Sequence, residues 1–110
     1  MAALRVLLVD DHEGTRKGMR ELLSSRSDWS VCGEATDGID AIEKARSLRP
    51  DVVLMDISMP RMDGLEATRN ILEELPQCKV VVITQNDPSV ARYQAVAAGA
   101  KAFVTKSQLS

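Results

Sequence analysis

Residues 4–14, "LRVLLVDDHEG", decide the fold. Five of the six residues from Leu4 to Val9 are aliphatic. A strand with one wet face alternates apolar and polar side chains, whereas a nearly continuous aliphatic run is covered on both faces, as in a parallel sheet. This run ends directly in two carboxylates, Asp10 and Asp11. Acids crowded against the end of a buried strand are costly unless something offsets their charge.

Working outward, the same kind of run recurs. Strands are predicted at Leu4–Val9, Ser30–Ala35, Asp51–Asp56, Lys79–Thr84 and Ala102–Lys106, and the first, third and fourth are almost wholly Val, Ile, Leu and Met. Between them, Met19, Leu22 and Leu23 share a helical stripe within Thr15–Ser24. Ile42 and Ala45, with Ala41 nearby, form another within Ile39–Ser47, and Leu65, Thr68, Ile71, Leu72 and Leu75 a third. Breakers mark the boundaries: Asp37-Gly38, Arg49-Pro50, Asp63-Gly64, Pro76, and Asp87-Pro88 before a fourth helix. Alternating strands and helices predict a doubly wound α/β domain with a parallel sheet.

A chain of 110 residues suits one domain spanning 1–110. With 45% hydrophobic and 27% charged residues it has the composition of an ordinary globular protein. The net charge of -2, with Lys and Arg scattered, gives no basic footprint for nucleic acid. Cys32 and Cys78 stand far apart and form no CxxC or Cys/His cluster, which predicts ordinary thiols in a reducing compartment. No run resembles a signal peptide or reaches membrane-spanning length, so a cytoplasmic location without membrane contact is expected.

In a doubly wound sheet, sites form beyond the C-terminal ends of the strands. Those ends carry Asp10 and Asp11, Asp56, Thr84 and Lys106. Singly, each has a plain structural role: Asp11 as a helix N-cap, Asp56 as a turn residue, Thr84 as a strand former, Lys106 as a solvated charge. Together they make an electrostatic demand. Two carboxylates about 4 Å apart repel by roughly 4 kcal/mol at an effective dielectric near 20. One lysine cannot balance three acids, and hard oxygen donors favour Mg²⁺, which binds through one or two carboxylates and accepts phosphate oxygens. Such an edge is suited to handling a phosphoryl group.

The set "VDDH", "PDVVLMDISMPRMDG", "VVIT" and "AGAKAFVTK", in this order, resembles the receiver domain of two-component response regulators over nearly the whole chain. "VDDHEGTRKGMRELL", "GEATDGIDAIEKA" and "MPRMDGLEATRNIL" are most similar to receivers of LuxR/NarL-type regulators. The resemblance implies a flavodoxin-like five-stranded sheet in the order 2-1-3-4-5. It implies that Asp56 accepts a phosphoryl group from a partner histidine kinase. Asp11 then ligates Mg²⁺ directly, Asp10 through water, and the backbone carbonyl of Ser58 adds a third protein ligand. Lys106 pairs with the phosphoryl oxygens, while Thr84 and Phe103 form the switch pair.

Regulation of transcription through a DNA-binding domain is implied as the output, with no such domain in this chain. The fifth helix is expected to be truncated, because the chain stops at "KSQLS" where Ser107 would cap its start. A sheet face left partly uncovered there predicts self-association, with a second copy as an implied partner, or else lower stability than a complete receiver. Gln85, larger than the residue often found there, predicts a long-lived phosphoform. His12, a lone histidine, is assigned no role.

The resemblance implies no enzyme beyond self-phosphorylation and autodephosphorylation. The main competing class is a Mg²⁺-dependent phosphohydrolase of haloacid dehalogenase type, which expects an acid two residues after its nucleophile, where this chain has Ser58. A flavodoxin-like FMN binder is opposed by the acidic first loop "DDHEGTR". A degenerate receiver acting only as an interaction module is opposed by the intact acid, Thr and Lys set.

Overall fold

In the computed structural model, described for residues 3–56, 64–84 and 96–105, the opening aliphatic run is strand β1, Leu4–Val9. It is followed by α1 (Glu13–Ser24), β2 (Trp29–Ala35), α2 (Gly38–Leu48), β3 (Val52–Asp56), α3 (Gly64–Glu74), β4 (Lys79–Thr84) and β5 (Ala102–Thr105). All strand pairs are parallel and the order is β2-β1-β3-β4-β5. The α/β class and the parallel pairing are those predicted from the alternation. The expected helix start at Asp87-Pro88 and the cap at Ser107 lie outside the described residues.

The burial explains why the central strands lack alternation. Leu7 and Val9 of β1, Val53 and Met55 of β3, and Val80 and Val82 of β4 face one side, where Ala41 and Ala45 of α2 and Ala67 and Ile71 of α3 cover them. Val6, Leu8, Val52 and Ile83 face the other side, against Met19 and Leu23 of α1. These residues therefore meet one core or the other in turn. Small alanines on α2 and α3 let those helices lie close to the sheet.

One predicted stripe needs correction. Met19 and Leu23 are buried, but Leu22 is 49% exposed. The helix turns its i, i+4 pair to the sheet, and Leu22, about 80° from the middle of that pair around the axis, falls beyond the contact.

The N-terminal edge of the sheet is closed by paired polar groups. The Arg5 N–H donates to Asp51 Oδ2 at 2.8 Å, the Asp51 N–H donates back to the Arg5 carbonyl at 2.9 Å, and the Lys79 N–H reaches the Asp51 carbonyl at 3.1 Å. The Arg5 guanidinium donates to the carbonyls of Leu48 and Arg49, at 2.6 and 3.1 Å, satisfying the C-terminus of α2. Arg49 itself ends that helix in the left-handed region, at φ 48°.

β1 and β2 do not pair residue for residue. Val6 pairs with Val31, then Leu7 with Gly33, so the register shifts by one residue at Cys32. Gly33 makes room there: a Cβ would stand 2.6 Å from Leu48 Cδ1, so a larger residue would have to displace that side chain. Both cysteines are free thiols. Burial pushes the Cys78 thiol up to about 11, with the nearby Asp51 charge adding to the effect, and burial also raises Cys32.

Candidate functional site

Strands β1 and β3 are neighbours and parallel, so their C-terminal ends bring Asp10 and Asp11 to the same edge as Asp56. Asp10 and Asp56 are almost fully buried, 1% and 3% exposed, while Asp11 is partly open. Ligand atoms of Asp10, Asp11, Asp56 and His12 all lie within 4.8 Å of one another. Three carboxylates and an imidazole this close form a donor set in which oxygen predominates. That set fits a hard divalent cation such as Mg²⁺, which needs only one or two carboxylates and otherwise keeps its water.

The main chain around Asp10 is held from several directions. Its N–H donates to the Ala35 carbonyl of β2 at 3.1 Å, extending the sheet by one residue. Its Oδ1 accepts the His12 N–H at 2.8 Å, closing a tight turn between β1 and α1. The His12 ring nitrogen Nδ1 lies 3.2 Å from Asp10 Oδ1 and 3.1 Å from Asp11 Oδ1. The capping role open to Asp11 is not what the structure shows. His12 occupies the N-cap position of α1, without a side-chain bond to the helix, which leaves the Asp11 carboxylate directed to the cluster.

Behind the turn stands a second set of charges. The Arg16 guanidinium donates to the Asp10 carbonyl at 2.7 Å, to Glu34 Oε1 at 2.9 Å and to Glu13. Arg20 Nη1 grips both oxygens of Glu34 at 2.6 and 2.7 Å, and Lys44 donates to the Glu34 main-chain carbonyl. Burial pushes the Glu34 carboxyl up, but the hydrogen bonds and charges of Arg20 and Arg16 together outweigh it and hold the group below its usual range.

Of the residues singled out in the sequence, Thr84 ends β4 and pairs with Thr105, and Phe103 lies in β5 opposite Val82. Lys106, Ser58 and Gln85 fall outside the described residues. Sequence reasoning noted His12 without giving it a role, and missed Arg16 and Glu34. For Arg16 a signal was present: one turn after His12 on α1, it faces back toward the strand end.

Among the described residues, no helix is long and apolar enough to cross a membrane. Residues 6–109 match the family model described as the response regulator receiver domain. The chain is 45% identical over 105 residues to the response regulator protein VraR of Staphylococcus epidermidis, covering 96% of this chain and 50% of that protein. It therefore spans about half the length of that relative. Among solved structures, a two-component response regulator of the LuxR family from Aurantimonas sp. is similar at 37% identity and a TM-score of 0.91, over 96% of this chain and 76% of that one. A CheX-CheY complex with BeF₃ and Mg²⁺ from Borrelia burgdorferi matches at 27% identity and a TM-score of 0.89, over 98% of this chain and 84% of that one. A parallel α/β sheet carrying acids at its C-terminal edge, matched over nearly its full length, places this chain in the response regulator receiver domain family.

Proposed function

We propose that the chain accepts a phosphoryl group onto Asp56 from the phosphohistidine of a partner histidine kinase. The observation that carries this reading is the buried Asp56 carboxylate at the end of β3, with Asp10 and Asp11 oxygens within 4.8 Å. One Asp56 oxygen attacks phosphorus, the new O–P bond replaces the N–P bond, and the departing imidazole stays on the kinase. Asp10, Asp11 and Asp56, with the Ser58 carbonyl, would hold Mg²⁺. When bound, that ion offsets the charge between the acidic cluster and the incoming phosphoryl oxygens, most of what such a transfer asks of a protein. Burial of Asp56 and Asp10 keeps bulk water from the reacting oxygen, and Lys106 pairs with the transferred group as a compact cation.

The remaining parts follow the family pattern. One receiver domain spans 1–110, completing a doubly wound flavodoxin-like sheet. Thr84 turns toward the phosphoryl group and Phe103 repacks, biasing a two-state surface. The output is transcription regulated through a DNA-binding domain on the whole protein, in the cytoplasm, with a second copy of the chain as a further partner. VraR and the LuxR-family regulator support this by their likeness.

The test is incubation with Mg²⁺ and a small phosphodonor such as acetyl phosphate, followed by intact mass. Addition of one phosphoryl group, lost in Asp56→Asn and without Mg²⁺, is the expected result. Absence of the adduct, or steady turnover of phosphate esters, overturns it.

A further inference from the structure

Arg16 meets the cluster through the Asp10 main-chain carbonyl rather than through a carboxylate, and its side chain is enclosed, 11% exposed. Its guanidinium joins three elements. It grows from the first turns of α1, donates to the Asp10 carbonyl at the end of β1, and donates to Glu34 of β2. Glu34 is in turn gripped at both oxygens by Arg20. A planar fork with its donors engaged on three acceptors has one available orientation, unlike a lysine ammonium on a flexible stem. The Asp10 carbonyl is thus tied from one side while its N–H is tied from the other. Between those two anchors the Asp10 carboxylate and the Asp11 backbone have little freedom.

We infer that Arg16 is a positioning residue for the metal site, and that the Glu34–Arg20 pair braces it. The inference rests on the proposed Mg²⁺ role of Asp10, Asp11 and Asp56. Ligands are held by the groups around them, and loss of such an outer partner typically costs metal affinity about 10-fold or more.

Charge and positioning predict opposite signs here, which makes the idea decidable. Arg16 is a cation close to a cation site, so on electrostatics alone its removal tightens Mg²⁺ binding. If its work is to hold Asp10 in place, removal weakens binding.

The experiment is Mg²⁺ titration by calorimetry on the whole chain and on Arg16→Gln, Arg16→Lys, Glu34→Gln and Arg26→Gln, with thermal unfolding of each in the absence of Mg²⁺. Arg26 is an exposed arginine whose Nε lies 3.4 Å from Asp28, and its variant is expected to bind as the parent does. Arg16→Gln is expected to bind about 10-fold more weakly. Arg16→Lys is expected to lose nearly as much, because it restores the charge but not the fork. Glu34→Gln is expected to lose less, and it carries the test if the Arg16 variants do not fold.

Equal or tighter binding by Arg16→Gln, or full recovery by Arg16→Lys, overturns the inference while leaving the metal site standing. Should the Arg16 variants fail to fold, unchanged binding by Glu34→Gln overturns it instead. Absence of Mg²⁺ binding by the unaltered chain overturns the metal reading itself, and this inference with it.

Discussion

The two edges of the sheet carry similar charged residues and use them in opposite ways. At the N-terminal edge Arg5 meets the Asp51 carboxylate through its N–H and two carbonyls at the end of α2 through its guanidinium, so each charge closes on a main-chain group of opposite polarity. At the C-terminal edge Asp10, Asp11 and Asp56 gather within 4.8 Å, with a single imidazole among them. Like charges so concentrated lower the stability of the folded chain. The first edge fastens the domain, and the second accepts a penalty that a bound cation would relieve. Stability and function are thereby divided between the two ends of the same strands.

Three measurements would break or sharpen this contrast. The largest effect is expected from Mg²⁺: at one hundred times its dissociation constant the folded state gains about 2.7 kcal/mol. Thermal unfolding reads this directly, and a melting temperature indifferent to Mg²⁺ would dissolve the distinction between the edges. Next, Arg5→Met should cost about 1–2 kcal/mol through the lost bonds to the α2 terminus. The same loss should appear with and without Mg²⁺, and a change in Mg²⁺ affinity would mean that the edges are coupled. The smallest is a gain: Asp11→Asn at pH 8, without Mg²⁺, should stabilise the chain by about 0.5–1 kcal/mol by removing one of three like charges. The same variant should lose most of the Mg²⁺-dependent rise, and destabilisation of the metal-free chain would show that the acids are not in conflict.

Much of the fold was legible because apolar runs without alternation have one common explanation. β1 and β4 fall at the predicted bounds, and β3 differs only at its first residue. α1 begins at Glu13 rather than Thr15, directly after its N-cap His12. Leu22 was misjudged because a stripe of three leaves open which pair faces the sheet, and that depends on the seating of the helix. The meeting of Asp10, Asp11 and Asp56 was legible from topology alone, since parallel neighbours end together. The ring of His12 and the link from Arg16 to Glu34 were not, for both depend on side-chain directions that spacing does not determine.

The register shift at Cys32 acts on the phase of β2. Without the extra residue, Glu34 would pair with Val9 and point into the core shared with α2 and α3, an expensive place for a carboxylate. With it, Ala35 takes that place and Glu34 pairs with Leu8, on the side where α1 carries Arg16 and Arg20. A single inserted residue therefore swaps an alanine and an acid between the two faces of the domain. An edge strand that could have repeated its neighbour's pattern instead becomes the abutment of the β1–α1 turn that carries Asp10 and Asp11.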